Sequence, residues 1–278
     1  MHVLVAGCGW LGTAIARALV ARGDRVTAIR RDAQRAATLA APGIAPLAVD
    51  LAQPGADSAL PGDVEAIVAC QAASADTQPA YRAAYVEANR TLLALAERAR
   101  VPLVYTSSTG VFGQRDGSEV AERTTPAPAS PTGQILLEAE RLVRGAVSRG
   151  VRASVVRLSG LYGPDRLGTI ERVRSGRLTL GPGDDAWMNF CHRDDAVAFV
   201  LAALDRGEGG VAYHGSDAAP ARRREVVEWI AARLGIPAPR STLRLPAPDR
   251  RISSVWTRER LGVVLLYPSF YDGFAPWL

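Results

Sequence analysis

Residues 7–12 read Gly7-Cys8-Gly9-Trp10-Leu11-Gly12, and this G-x-G-x-x-G spacing follows the apolar run His2–Ala6 and passes straight into the helical pattern Thr13–Arg22. A pyrophosphate site requires that order. Gly7 allows the tight turn out of a strand, Gly9 lets the backbone approach the phosphates because it has no Cβ, and Gly12 lets the helix lie close on the sheet. The helix N-terminus then presents N–H groups and a partial positive charge to an anion. The segment reads as a dinucleotide-binding loop, with Cys8, Trp10 and Leu11 in its variable positions. Arg30 and Arg31 end the next apolar run, Val26–Ile29. A carboxylate at that point accepts from a ribose 2′-OH, whereas guanidinium groups pair with a 2′-phosphate, each charge-assisted hydrogen bond contributing ~1.5–3 kcal/mol. The arginines predict NADP, with NAD the weaker alternative. They also read as solvated groups opening a helix capped by Asp32. Asp50, after the third apolar run, either accepts from an adenine amino group or closes a turn.

All 33 basic residues are arginine, so the chain contains no lysine. Schiff bases, P-loop lysines and lysine-assisted proton relays are thereby excluded. His192-Arg193-Asp194-Asp195 reads as an acid–base cluster or, better, as the capped start of a helix. His214 reads as a structural histidine, and His2 opens the first strand with no chemical role. The cysteines Cys8, Cys70 and Cys191 are odd in number and far apart, which gives neither a disulfide framework nor a metal site and suggests a reducing cytoplasm. A reactive Cys70 would need a depressed pKa. A net charge of +5 favours anionic ligands. The arginines are scattered, Arg222-Arg-Arg224 reading as a solvated helix start, so nucleic acid is not expected. No run approaches the ~20 apolar residues of a membrane span, and the chain enters a strand too early for a signal peptide, so a cytoplasmic protein is expected.

The elements that must position these groups alternate. Strands are predicted at Val26–Ile29, Ala45–Val49, Val64–Ala69, Val101–Thr106 and Ala153–Leu158, and helices at Pro79–Arg100 and Gln134–Ser148. That alternation predicts an α/β fold, a Rossmann-type doubly wound parallel sheet with right-handed crossovers. After Leu158 the rhythm changes. Helices are predicted at Asp194–Leu204 and Arg222–Leu234, a short strand at Val211–Tyr213 and irregular chain over Ala238–Pro248. The expected division is a nucleotide-binding domain over 1–160 and a smaller C-terminal α/β substrate lobe over 161–278. Trp187, Phe190, Trp256 and Trp277 read as lining for that lobe or, more simply, as its core.

Four segments together resemble the extended short-chain dehydrogenase/reductase superfamily, the NAD(P)-dependent epimerase/dehydratases: G7-C-G-W-L-G12, T106-S-S-T-G-V-F-G113, R157-L-S-G-L-Y-G-P164 and H192-R-D-D-A196. Asn89-Arg-Thr-Leu-Leu and the segment 261–274 are similar to further family features, so the resemblance runs through most of the chain. It implies that Leu51, Cys70, Gln71, Ala72, Thr106 and Ser159 line the cofactor. It also implies chemistry by Ser/Thr, Tyr and a Lys four residues later. Ser108 matches the Ser/Thr position, with Thr109 as fallback. Aligning Glu138-Ala-Glu140 with the end of the family's active-site helix puts Thr132 at the Tyr position and Leu136 at the Lys position; shifting to Gly133 and Leu137 restores neither. The chain therefore resembles the atypical members that keep the cofactor fold and lose the Tyr–Lys pair. Tyr162 would supply a displaced phenol or simply fill the core. Family members often pair through helices beside the active-site helix. Leu136, Leu137, Leu142 and Val143 would form such a homodimer seam or face the sheet.

Two functions fit. One is an NADP-dependent oxidoreductase or epimerase-like enzyme acting on a small polar molecule, sugar-like ones included, through Ser108, Tyr162 or water. The other is a non-catalytic dinucleotide-binding redox sensor or scaffold.

Overall fold

A computed structural model of the chain describes residues 1–182, 185–243 and 248–278. The elements run β1 (His2–Ala6), α1 (Trp10–Ala21), β2 (Arg25–Arg30), α2 (Ala33–Ala37), β3 (Ile44–Ala48), β4 (Ala66–Ala69), α3 (Gln78–Tyr81), α4 (Ala88–Ala99), β5 (Leu103–Ser108), β6 (Arg115–Val120), α5 (Pro131–Gly145) and β7 (Ala153–Leu158). They continue with β8 (Gly160–Tyr162), α6 (Gly168–Arg174), β9 (Trp187–Met188), β10 (Phe190–His192), α7 (Arg193–Arg206), β11 (Ala212–Gly215), β12 (Ala221–Arg222), α8 (Arg223–Leu234), β13 (Asp249–Ile252), α9 (Val255–Leu261) and α10 (Phe270–Phe274).

Seven strands form one sheet in the order β11-β7-β5-β4-β1-β2-β3. The pairs β1–β2, β1–β4, β2–β3 and β4–β5 are parallel, as the alternating pattern predicts. Chain order reverses between β1 and β4, so the loops after these two strands open at a topological switch point, where doubly wound sheets bind ligands. Val3–Ala6 and Ala66–Ala69 are fully buried, because strands covered on both faces must be apolar throughout.

The chain divides into two compact units, each discontinuous in sequence: 1–112 with 125–157 and 197–213, and 113–124 with 158–196 and 214–278. In the first unit, the core collects Leu4, Ile67, Leu92, Leu103, Tyr105, Val143 and Val155 with their neighbours. The helix predicted over Pro79–Arg100 is interrupted: α3 and α4 are joined by a π-helical turn at Arg82–Glu87. In α5, Leu136, Leu137 and Val143 are buried within the unit, and Leu142 packs against the same core. That is the inward-facing alternative for these residues.

The second unit holds elements the sequence hid. β6 pairs in parallel with β13, β8 with β10, and β9 antiparallel with β12. Its core is Tyr162, Ile170, Phe190, Val226, Ile230, Phe270 and Phe274 with smaller neighbours. Of the segment predicted irregular over Ala238–Pro248, residues 244–247 lie outside the described residues. Among the described residues no helix is long and apolar enough to cross a membrane.

Candidate functional site

In the first unit, the glycine loop is fastened on three sides. Gly7 and Cys8 donate their backbone N–H to Ile29 O at 3.1 and 3.0 Å, and Cys70 N–H bonds to Ala6 O at 2.9 Å. Gly7 turns at φ +86°, and a Cβ there would lie 2.3 Å from Gln71 Cα, so the loops after β1 and β4 touch backbone to backbone. At Gly12 an added Cβ would meet Gly7 O at 2.4 Å and Cys70 Sγ at 2.8 Å; the helix packs as closely as the spacing predicts. Gly9 is different. It is exposed, and a Cβ there would find only Gly7 O, at 3.9 Å. Gly7 and Gly12 are therefore required by the fold itself, whereas Gly9 leaves a place open. Gly9 also caps α1 without any side-chain cap, and the first turn of α1 holds no acidic residue, so its dipole is uncompensated by the chain. Trp10 is half-buried and Leu11 buried beneath the turn.

Arg30, at the end of β2, is half-buried and donates through Nε to Cys8 O, so its guanidinium is held at the edge of the glycine loop. Arg31 is exposed. Asp32 accepts from Arg35 N at 2.7 Å as the N-cap of α2, so the first carboxylate after β2 is already engaged. Asp50 accepts from Ala52 N at 3.1 Å and from Gln53 Nε2 at 3.4 Å, the geometry of a turn-closing residue. Leu51 is buried, and its carbonyl accepts from Thr91 Oγ1 at 2.8 Å.

Cys70 is buried and donates its thiol to Ala6 O at 3.3 Å. Burial pushes its pKa well above the usual thiol range, and burial takes Cys8 to about 12 despite Arg30 beside it. Neither thiol is poised to react. Gln71 donates to Asn89 Oδ1 at 3.2 Å, Asn89 donates to Tyr85 O at 2.8 Å, and Tyr85 Oη accepts from Ala73 N at 3.3 Å. This chain of bonds ties the loop after β4, with exposed Ala72, to the π turn. Sequence reasoning missed Tyr85. Its signal was a tyrosine four residues before a buried asparagine on the same helical face.

At the end of β5, Thr106 Oγ1 donates to Ala69 O at 3.4 Å, and Ser108 Oγ accepts from Gly110 N at 3.1 Å. Thr109 is buried. A Cβ on Gly133 would meet Gly110 O at 2.9 Å, so this turn abuts the first turn of α5. There Ser130 caps the helix, accepting from Gly133 N at 3.0 Å, and Thr132 Oγ1 lies 3.3 Å from Ser130 Oγ. Leu136 follows one turn later, and Glu140 one turn beyond it. The Glu140 carboxylate is fully buried and held by Arg157 through Nε, at 3.1 Å to both oxygens, and through a terminal nitrogen at 2.7 Å. The Arg157 guanidinium also lies 5.0 Å from the Phe112 ring centre.

The remaining candidates belong to the second unit. Ser159 is buried, with its N–H on Gly215 O at 2.9 Å. Tyr162 packs among Phe190, Phe274 and His192, and a Cβ on Gly273 would lie 1.7 Å from its hydroxyl oxygen. Burial drives its pKa far above the ordinary phenol value. This is the geometry of a packing residue. His192 Nδ1 accepts from Asp194 N at 3.2 Å, and burial lowers its pKa, which keeps it neutral. Asp195 accepts from Leu266 N and Tyr267 N at 2.7 and 3.1 Å. Both residues act as structural ties. His214 Nδ1 donates to Ser253 O at 2.9 Å. Phe190 is core, Trp187 carries Arg222 at 3.9 Å from its ring centre, and Trp256 and Trp277 are exposed. Among the described residues no cluster could hold a metal ion.

The model of the NAD-dependent epimerase/dehydratase family matches residues 3–215. The chain belongs to that family. A 3-diazoavenalumate denitrifying reductase from a Streptomyces species is 30% identical over 306 residues, covering 99% of each chain. A 4-hydroxy-2-methyl-3-oxo-4-farnesyl-3,4-dihydroquinoline-1-oxide ketoreductase from Stigmatella aurantiaca is 28% identical over 242 residues, or 84% of this chain and 72% of its own. A solved structure assigned to the NAD-dependent epimerase/dehydratases, from Methylobacillus flagellatus, is 29% identical with a TM-score of 0.77 over 99% of this chain and 96% of the other. Membership of this family accounts for the shape of the glycine corner: the open place at Gly9 and the uncapped α1 fit the pyrophosphate of a nicotinamide dinucleotide.

Proposed function

We propose that this member of the family is an NADP-preferring oxidoreductase that moves a hydride between the nicotinamide and a small polar molecule, sugar-like compounds included. One observation carries the cofactor preference: the end of β2 presents Arg30 at the glycine loop, and the first carboxylate after it in the chain, Asp32, caps α2. A 2′-phosphate arriving there would meet guanidinium rather than repulsion. Gly7, Cys8, Gly9, Trp10, Leu11 and Gly12 would cradle the pyrophosphate. The loop at Cys70, Gln71 and Ala72, with Thr106, would border the ribose and nicotinamide. Two similar proteins are named as reductases, which supports hydride donation over passive binding.

Stopped-flow absorbance at the nicotinamide band, with a panel of carbonyl compounds and nucleotide sugars, tests the reading. Acceptor-dependent loss of NADPH is the expected result. NADPH that binds and stays reduced with every acceptor would leave a binding protein instead.

A further inference from the structure

The loop after β4 touches the glycine turn on one side and the π turn on the other. Its own backbone is loosely held. Among the described residues, the main chain from Gln71 to Asp76 makes one hydrogen bond, from Ala73 N–H to Tyr85 Oη at 3.3 Å. Ala72 and residues 74–76 are exposed. A segment with so few bonds wanders unless something outside it fixes its shape, and that something is Tyr85.

A side chain that holds a loop must itself be held. The Tyr85 ring meets Tyr81 edge-on at 5.2 Å between ring centres and the fully buried Tyr105 at 6.5 Å, which leaves the hydroxyl as a fixed polar tip. Burial raises its pKa, so it stays a neutral phenol. Tyr85 lies in the π turn Arg82–Glu87, where the α-helical ladder is interrupted, and such turns recur at functional positions. One turn further on, the buried Asn89 donates Nδ2 to Tyr85 O at 2.8 Å and accepts from Gln71 Nε2 at 3.2 Å. A carbonyl only accepts, so Tyr85 O decides which end of the Asn89 amide faces Gln71. Two side chains of one helical segment thus clamp the loop at Gln71 and at Ala73, and Gln71 in turn lies against Gly7.

Sheet order says which part of a dinucleotide this clamp serves, given the cofactor reading above on which the inference rests. β1 lies between β4 and β2. A dinucleotide with its pyrophosphate at the Gly9 turn and its 2′-phosphate on the β2 side, at Arg30, extends its other half towards the β4 side.

We propose that Tyr85 is a positioning residue: by holding Ala73 N–H it presets the loop after β4 for the nicotinamide riboside half of the cofactor and contributes to the binding of that half alone. A loop already in its bound shape spares the ligand the cost of ordering it, up to the worth of the bond that fixes it.

The test is calorimetry on the full chain with two probes, NADPH and 2′-phosphoadenosine 5′-diphosphate, which keeps both ends of the adenosine site but lacks the nicotinamide riboside. Tyr85→Phe keeps the ring and removes the acceptor. It should weaken NADPH about 2- to 12-fold, the range set by one net hydrogen bond, and leave the fragment's affinity unchanged. Fluorescence of the bound NADPH should shift towards that of the free cofactor in the variant. Equal losses for both probes would mean that Tyr85 supports the whole corner, and no loss for either would mean that it positions nothing; each overturns the inference and leaves the cofactor reading intact. A wild type that binds NADPH no more tightly than the fragment removes the cofactor reading at the β4 loop, and the inference falls with it. Hydrogen exchange in the wild type decides the matter without any variant: before NADPH is added, the Ala73 amide should exchange more slowly than those of Ser74 and Ala75. Exchange as fast as theirs would show that the loop is not preset.

Discussion

Two corners of the first unit differ in what they keep. The corner after β1 retains every feature an anion needs: a glycine turn locked against Gln71, an open place at Gly9, an uncapped helix start and an arginine at the rim. The corner where β5 meets α5 keeps the same architecture, with a capped helix start touching the Ser108 turn, but its side chains are hydroxyl, leucine and a neutralised carboxylate. The first corner is built from backbone geometry, which depends on its glycines rather than on the side chains around them. Acid–base chemistry is built from side chains, which one substitution removes.

The sharpest way to break that comparison is within the glycine loop. Gly7→Val places a Cβ 2.3 Å from Gln71 Cα at φ +86°, so it should abolish NADPH binding and lower the melting temperature together. Gly9→Ala meets nothing nearer than 3.9 Å, so it should weaken NADPH binding while leaving the melting temperature unchanged. Equal thermal effects from the two substitutions would mean that Gly9 is structural as well. In the second corner, Glu140→Ala strands the buried Arg157 charge and should cost ~3–5 kcal/mol in denaturant unfolding. Replacing both partners, Glu140→Leu with Arg157→Met, should recover most of that loss. Failure of the double variant to recover would show that the pair does more than neutralise itself. Returning to the rim of the first corner, Arg30→Ala should lose ~1.5–3 kcal/mol of NADPH affinity, roughly 10- to 150-fold by calorimetry, with NADH affinity unchanged.

The smallest effect is expected in the second unit. Burial, with Asp195 nearby, raises the Asp217 carboxyl well above its usual range. A carboxyl raised on folding binds more protons in the native state. It therefore drains stability as pH climbs from the unfolded value of ~3.9 towards the folded one. Asp217→Asn should match the wild type near pH ~4 and exceed it near pH ~7 in unfolding free energy. The opposite ordering would mean that the carboxylate is stabilised by partners of its own.

Most of the sheet could be read from the chain because its strands are locally distinctive. β7 spans Ala153–Leu158 as its apolar run predicts, and β1, β2 and β4 fall within a few residues of theirs. β6 was invisible for the opposite reason: Arg115-Asp-Gly-Ser-Glu-Val120 has no apolar alternation, and its partner β13 lies far along the chain. The π turn at Arg82–Glu87 was hidden as well, since a π bulge scarcely alters a helical hydrophobic pattern. At the site, the glycine spacing announced the tight turn and the close-lying helix, but the hold of Arg30 on Cys8 O needed coordinates, as did the burial that disarms Cys70. Tyr162 could be placed after β7 from its motif, yet only the contact with Gly273 showed that its hydroxyl is walled in.

Crystals soaked in NADPH test the central claim most directly. The account predicts the pyrophosphate against the Gly9 turn at the start of α1, with the 2′-phosphate on the Arg30 guanidinium. A dinucleotide bound elsewhere, or a 2′-phosphate pointing away from Arg30 into solvent, would contradict it.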